Sequence, residues 1–491
     1  MQTFLARLNA GQQLVFPKLA RFCLGSLWKP EQIDDSTCPN TVIDDIDQYK
    51  MVLLDGYTGT GKTYLVNRLV EYISLVEPSF KVAMTAPTNK AVGELKKHSE
   101  CQVPLTFCTL HSFLGLKEIT DKWTGKKSFG PDLYSGIKDS SSVKLLILDE
   151  TSQLQKGLFK YLEVHVASGL KILFMGDDKQ IPPVGEVQSI PFLPNMQRKY
   201  NIYKLSLTKI ERQADGNPII DYAEAIRTQF EKRDVVFDFT GKDKGNTGIQ
   251  LLACNMPDLI PVLKQYFCTP QFKESSDYIK VICWRNSTAK YFNTTIRKLV
   301  HQEEKPPKIL KGEKMITTSP VFTWAMGKWD ILYTTNEELE VVALTLSTVS
   351  ISYKLPDLDG LFVTARRSFK SYLLTTISPS KNRTTKQAIS VIHEDNELAY
   401  NQFVQNFAEL ANKEQNPITR GRLWGEFYNC QKQFASVDYD YCLTAHKAQG
   451  SSYDFAIVHE WDIDVSPDLK ERNRIRYVAA TRPRHKLFIV K

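Results

Sequence analysis

The chain has 491 residues, of which 42% are hydrophobic and 24% charged, with a formal net charge of +8. No apolar run approaches the ~18 residues that a membrane span needs. Nine cysteines, an odd number with no CxxC pair, argue against a disulfide framework and favour a reducing compartment. The length exceeds one core and implies about three or four domain-sized units, and the mild basic excess suits an acidic polymer as partner.

In chain order, the first thirty residues lack Asp and Glu but contain Arg7, Lys18, Arg21 and Lys29. An import presequence has that composition; the preferred reading is a folded helix with Leu5, Leu8, Leu14 and Phe16 turned inward. Met51 to Leu54 then form a run of strand length, followed by "GYTGTGKT" at 56–63 and by Leu65, Val66, Leu69, Val70 and Ile73 at helical spacing. In this strand–loop–helix context Gly56, Gly59 and Gly61 let backbone N–H groups turn around an anion, and the helix adds its positive end. Lys62 supplies a point charge to the β- and γ-phosphates, and the Thr63 hydroxyl a ligand for Mg²⁺. The spacing Gly56-x4-Gly61-Lys62-Thr63 is a full Walker A pattern, so ATP and Mg²⁺ are the expected cofactors.

The runs "KVAMTAPT" at 81–88, "VKLLILDE" at 143–150 and "LKILFMGDD" at 170–178 each precede a polar turn and a helix-compatible segment, as βα units around a parallel sheet do. At the carboxyl end of the second run, Asp149 is placed to hold Mg²⁺ and Glu150 to polarise the attacking water. Residues 115–142 are polar, with Thr124 and Gly125 centred between Trp123 and Phe129 as in a hairpin. A further set, "YIKVICWRN" at 278–286, "DFAIVHE" at 454–460 and "HKLFIVK" at 485–491, implies a second α/β domain. The prolines of "EEKPPKILKG" at 303–312 mark a boundary. Beyond it, Leu344, Leu346, Val349, Ile351 and Tyr353 alternate as in strands, and a helix follows that carries Leu398, Phe403, Phe407 and Leu410. Trp424, Phe427, Tyr428 and Phe434 lie in a helical stretch, where core packing is preferred to base stacking. Arg212 and Arg482 are candidate cations for a transferring phosphoryl group, one on each side of the expected interdomain cleft. His98-x2-Cys101-x6-Cys108-x2-His111 has zinc-like spacing at both ends, but its central spacer is shorter than in typical fingers.

Laid in order, these segments resemble the motif series of superfamily 1B DNA helicases. "LNAGQQLVF" at 8–16 resembles the Q motif, "GYTGTGKT" motif I, "TAPTNKAV" at 85–92 motif Ia, and "TLHSFLG" at 109–115 the next strand-contacting motif. "LDETSQL" at 148–154 is similar to motif II, "MGDDKQIPPVGE" at 175–186 to motif III and "LTKIERQ" at 207–213 to motif IV. "LTAHKAQGSSYD" at 443–454 and "RYVAATRPRHKLFIV" at 476–490 match motifs V and VI. The likeness is to the Pif1/RecD/Dda branch, above all to phage Dda-type helicases. Thr151 stands where Ala or Ser is usual and Gln153 where Met is common; neither carries the chemistry.

The resemblance implies an α/β fold of two RecA-like P-loop domains with parallel sheets, a small β-hairpin insertion and an SH3-like β-rich insertion with helices. It divides the chain into domain 1A (1–112 and 143–205), hairpin 1B (113–142), domain 2A (206–311 and 438–491) and insertion 2B (312–437). It implies that Gln12 contacts adenine, that Gln180 senses the γ-phosphate, and that Gln449 and Gly450 adjoin the nucleotide. Thr85, Pro87, Thr88, Asn89, Lys90, His111 and Ser112 would hold one stretch of single-stranded DNA, and Asn286, Thr444, His446 and Lys447 the next, through backbone contacts that do not read sequence. Trp123 or Phe129 would be the wedge. The implied activity is ATP-dependent 5′ to 3′ translocation and unwinding of duplex or forked DNA, in replication, recombination or repair. The implied setting is a monomer in the cytoplasm, the host's if phage-encoded, with nuclear or organellar placement open, beside replication or single-strand-binding proteins and no membrane. An ATPase that displaces bound proteins without processive unwinding is the alternative. A small-molecule phosphotransferase would leave motifs V and VI unexplained.

Overall fold

The computed structural model describes residues 2–28, 46–98, 105–121, 123–131, 142–209, 217–357, 361–379 and 385–491. Two parallel sheets form its frame. In the first, six strands lie in the order Leu105–Thr109, Val82–Ala86, Leu145–Leu148, Lys171–Gly176, Met51–Gly56 and Ile202–Leu207. Four of these strands, from Met51, Val82, Leu145 and Lys171, are buried almost throughout, as strands with helices on both faces are. One face packs on helices Ala10–Leu24 and Lys62–Val76, the other on helix Lys156–Ala167. The second sheet runs Cys442–Thr444, Ile279–Cys283, Tyr453–His459, Pro483–Val490 and Gly248–Leu252, again all parallel.

The fold class is thus α/β with two parallel sheets, as the sequence implies, and the apolar runs become strands in both. Two of the expected boundaries move. Strand Ile202–Leu207 pairs along its whole length with Met51–Gly56, so the first sheet ends at 207 and not at 205. Strand Val437–Tyr439 pairs with Lys314–Thr317, so the insertion's sheet extends past 437.

The amino-terminal helix begins at a capping box formed by Asn9 and Gln12 and joins the core of the first sheet. Leu5, Leu8 and Phe16 are buried as expected, but Leu14 is 52% exposed. The helix turns Val15, Phe16, Leu19 and Phe22 inward, which leaves position 14 on the opposite side.

The insertion after the second sheet's helix Asn286–His301 is a five-stranded antiparallel sheet ordered Gln387–Ile392, Phe362–Ile377, Glu338–Pro356, Lys314–Thr317 and Val437–Tyr439. Its two central strands run 19 and 16 residues and project as a long hairpin. Near the far end Val349, Ile351 and Tyr353 face helices Glu394–Lys413 and Pro417–Gln431. Tyr400, Phe403, Val404, Phe407 and Ala411 form the seam of the first of these helices, whereas its Leu398 and Leu410 are 71% and 42% exposed. Trp424 and Phe434 are buried, as the core reading required.

Candidate functional site

In both units the loops of interest leave the carboxyl ends of parallel strands, where an open α/β sheet presents its crevice. Around the phosphate loop the crevice encloses about 600 Å³. Gly59 and Gly61 have φ of +90° and +75°, a region that favours glycine, and a Cβ on Gly61 would stand 2.5 Å from Gln12 Nε2. The Lys62 ammonium donates to the carbonyls of Gly56 (2.6 Å) and Tyr57 (2.9 Å), so it lies folded across the loop it is expected to serve. Burial lowers its pKa, opposed by the nearby carboxylates of Asp177, Asp149 and Glu150. Thr63 lies on the first turn of helix Lys62–Val76 and lines the crevice together with Asp149 and Glu150.

Asp149 follows strand Leu145–Leu148 and accepts the Glu150 N–H at 2.8 Å. Burial, then the adjacent Glu150, push its carboxyl up to about 7. Glu150 adopts a left-handed conformation with φ of 50°. Two crowded carboxylates opposite a threonine hydroxyl at a helix start fit a divalent cation, whose charge would relieve their repulsion. The residues present therefore suit Mg²⁺ and a triphosphate.

Gln12 is only 3% exposed, and its amide is engaged at both ends. Oε1 accepts from Asn9 N at 3.2 Å, while Nε2 donates to the carbonyls of Thr60 (3.2 Å) and Gly61 (3.4 Å). The structure thus places the glutamine expected at the adenine as a brace under the phosphate loop. Arg7, Tyr64 and Arg68 form the outer wall of the crevice beside it, with the Arg68 guanidinium over the Tyr64 ring at 5.4 Å.

The second unit closes the crevice from the far side. Gln449 Nε2 donates to Gln180 Oε1 at 2.9 Å and Ser152 Oγ at 3.1 Å, and Gln180 Nε2 reaches Thr58 Oγ1 at 3.1 Å. A row of amides and hydroxyls therefore runs from the phosphate loop into the second unit. Gly450, at φ of +79°, lies so close to Glu150 that a Cβ would meet Oε1 at 3.8 Å. Arg482 is 3% exposed and is held by the carbonyls of Val478 and Ser451 and by the Thr481 hydroxyl. Burial lowers its pKa, and among the described residues no carboxylate forms an ion pair with it, which suits a cation awaiting phosphate. Arg212 lies outside the described residues.

Three residues here escaped the sequence reading. Asp177 is fully buried and takes the Thr58 N–H and the Tyr477 hydroxyl on one oxygen and the Arg227 guanidinium on the other. Arg227 also binds Asp178 and lies 3.9 Å over the Tyr57 ring. The acidic pair in "GDD" was visible in the sequence, but its partner sits on helix Pro218–Thr228, where an arginine has no local mark.

The strand-facing candidates leave the other strands of each sheet. Pro87, Thr88, Asn89 and Lys90 follow strand Val82–Ala86, and His111 and Ser112 follow Leu105–Thr109. Asn286 opens the helix after Ile279–Cys283, and His446 and Lys447 sit on the turn after Cys442–Thr444. Asn89, Ser112, Asn286 and His446 are exposed. Burial holds His111 below the usual imidazole range, so at neutral pH it offers a hydrogen bond and not a charge. Thr85 and Thr444 do not belong on this surface. Thr85 is 0% exposed with its hydroxyl on the Ile147 carbonyl, and Thr444 is buried under the turn it precedes. Lys90 is engaged by Glu338.

The hairpin of strands Leu116–Thr120 and Lys127–Pro131 carries both wedge candidates exposed, Trp123 at 55% and Phe129 at 52%. Their surroundings differ. Phe129 lies 4.4 Å from the ring of His111, itself a strand-contact candidate. Trp123 lies under the Arg420 guanidinium at 4.7 Å, and Gly125 between them is gripped by helix Pro417–Gln431. The Tyr428 hydroxyl donates to the Gly125 carbonyl, and a Cβ on Gly125 would overlap the Trp424 indole at 2.5 Å. The zinc reading falls on Cys101 and the His98 side chain, both outside the described residues; among those described no three His, Cys, Asp or Glu gather as a metal site.

Comparison with known proteins matches the AAA domain family over residues 40–186 and the UvrD-like helicase C-terminal domain over residues 439–490. The ATP-dependent DNA helicase dda of Enterobacteria phage T4 is 26% identical over 447 residues, covering 89% of this chain and 94% of that protein. Uncharacterized protein R530 of Acanthamoeba polyphaga mimivirus is 24% identical over 499 residues, covering 91% and 97%. The ATP-dependent DNA helicase PIF1 of Xenopus laevis is 29% identical over 219 residues, covering 41% and 31%. Among solved structures, a Pif1 helicase from Candida albicans aligns over 91% of this chain and 92% of its own with TM-score 0.44 and 14% identity. A Bacteroides Pif1 helicase in complex with ADP-AlF3 and ssDNA aligns over 90% of each with TM-score 0.41 and 16% identity.

The raised Asp149 carboxyl has a stability consequence. Between its ordinary 3.8 and about 7 the folded protein keeps a proton that the unfolded chain releases, so stability falls as pH rises through that window. Asp149→Asn removes the cost of the ionised form. Without nucleotide its thermal midpoint should exceed that of the wild type at pH 8, and the gap should close as pH falls toward 4; equal midpoints at pH 8 would refute the environment described. Gln12→Ala, by loosening the loop, should lower kcat for ATP and GTP by a similar factor, whereas a loss confined to the KM for ATP would return Gln12 to base recognition.

Proposed function

We infer that this chain, a Dda- and Pif1-like helicase by its motif series and its relatives, uses ATP to move along single-stranded DNA and open duplex ahead of it. The observation that carries the reading is the closure of the phosphate cradle by the other α/β unit, through Gln449, Gly450 and Arg482. A cleft lined in this way couples the state of the nucleotide to the distance between two strand-holding surfaces.

Each residue has a role in that reading. Lys62 leaves the loop carbonyls for the β- and γ-phosphates, and Glu150 orients the attacking water. Gln180 and Arg482, with Arg212, meet charge developing on the γ-phosphoryl group. Thr63 and Asp149 would hold Mg²⁺, which when bound neutralises phosphate charge. Thr88, Asn89, Lys90, His111 and Ser112 hold the strand on one unit and Asn286, His446 and Lys447 on the other. Closing the cleft draws the two grips together, and opening it parts them while one releases.

We take the hairpin around 116–131 as the separating pin, with Phe129 as the wedge because it adjoins His111. Trp123 then serves the clasp with helix Pro417–Gln431. The domain division reads as above with the first sheet closed at 207 and the insertion extended to 439. Polarity of 5′ to 3′, monomeric action, a cytoplasmic setting and work in replication, recombination or repair beside single-strand-binding proteins follow from the resemblance. No helix among the described residues is long and apolar enough to cross a membrane.

With Mg²⁺ and ATP, the protein should open a duplex carrying a 5′ single-stranded tail and leave the 3′-tailed duplex closed, and Lys62→Ala should bind the strand without hydrolysing ATP. Preference for the 3′ tail would reverse the assigned polarity, and hydrolysis with neither duplex opened would favour displacement of bound proteins. Gly125→Ala places a methyl group in the Trp424 ring at a position with φ of +66°. Strand-stimulated ATP hydrolysis should persist in this variant while unwinding falls at least severalfold, as measured by strand release per ATP consumed.

A further inference from the structure

Among the strand-facing residues, Lys90 already holds an anion. Its ammonium, on the first turn of helix Asn89–His98, meets the Glu338 carboxylate at the start of the long hairpin strand Glu338–Pro356. Glu338 is 7% exposed, and its other oxygen accepts from the Ser276 hydroxyl at 2.8 Å. Close by lie Lys280 and Asp440, both fully buried and 2.6 Å apart. Burial would raise the Glu338 carboxyl, but Lys90 and Lys280 hold it down at about 2, so it stays anionic at any pH at which the protein is handled. Three parts of the fold therefore meet at one side chain: the first α/β unit through Lys90, the second through Ser276 and Lys280, and the inserted hairpin through Glu338 itself.

A carboxylate and a backbone phosphate offer the same thing to an ammonium: negatively charged oxygens at hydrogen-bond distance. They also repel each other, and in a partly buried site that repulsion is poorly screened. A phosphate arriving at Lys90 therefore meets an anion already in its place. We infer that Glu338 is a positioning residue for strand capture, a phosphate surrogate that holds Lys90 in the strand-free protein and is displaced when a backbone phosphate takes the same ammonium. This rests on the assignment of Lys90 to the strand path. Its consequence is that seating the strand and freeing the long hairpin from the first α/β unit are one event. The hairpin packs along its far end on helix Pro417–Gln431, which grips the pin at Gly125, so strand loading is transmitted to the duplex-separating end.

The test is the affinity of the full-length protein for a labelled oligothymidylate, read by fluorescence anisotropy alongside thermal unfolding. Glu338→Gln removes the competing charge and should lower Kd about fivefold or more, a coupling of ordinary size between two ligands of one site. Glu338→Asp retains a charge beside Lys280 but draws it back from Lys90, and should shift Kd in the same direction; it carries the test if Glu338→Gln unfolds. In a Lys90→Met background, itself weakened, neither change should tighten binding. If both Glu338 variants bind no tighter than wild type while Lys90→Met weakens binding, the surrogate role is overturned and the strand path stands. An unchanged Kd in Lys90→Met overturns both.

Discussion

The Asp177 carboxylate is the interaction on which the arrangement depends. It has no exposure to solvent, and its oxygens serve the Thr58 N–H at the tip of the phosphate loop, the Tyr477 hydroxyl, the Arg227 guanidinium and the Lys179 N–H. Breaking a buried pair of this kind costs about 3–5 kcal/mol because the remaining charge is left without a partner. The loop tip, helix Pro218–Thr228 and helix Leu469–Ala480 therefore satisfy one another only when assembled. Their assembly sets the second α/β unit in register over the cradle, and Arg482 and Gln449 come into place as a result.

Sheet order separates chemistry from cargo. In the first sheet the strands ending at Asp149, Asp177 and the phosphate loop are neighbours or near neighbours, while those leading to Asn89 and His111 lie together at one edge. The second sheet repeats the plan, with the strands leading to Asn286 and the His446 turn adjacent at its edge. The surfaces proposed for strand and nucleotide thus lie in different parts of one crevice system. Helix Asn89–His98 spans the two, since Lys90 starts it and Glu94 lines the nucleotide crevice.

Much of this was legible in the chain before folding. The phosphate loop, the Asp149–Glu150 pair and the turn at Gly125 are patterns written in a few consecutive residues. Other readings failed for identifiable reasons. Leu14 is apolar but lies off the seam of its helix, as Leu398 and Leu410 do on theirs, and seam phase depends on the partner surface. Thr85 has the right chemistry for a phosphate contact, yet it stands inside a strand, where its hydroxyl is used by the Ile147 carbonyl. Gln12 does line the crevice as its motif implies, and there its capping box and the loop carbonyls engage both ends of the amide.

The sequence by itself determined the groups whose function is written within about ten residues: the glycines and lysine of the loop, the acidic pair after an apolar strand, and the order of motifs along two α/β units. Tertiary structure alone decided which side chains meet across the cleft. Asp177 finds Tyr477 across 300 positions, Lys90 finds Glu338 across 248, and Gly125 finds Tyr428 across 303. Such pairs leave no local periodicity or spacing, because each half looks like an ordinary surface residue until burial removes water and leaves it to be satisfied by groups distant in sequence.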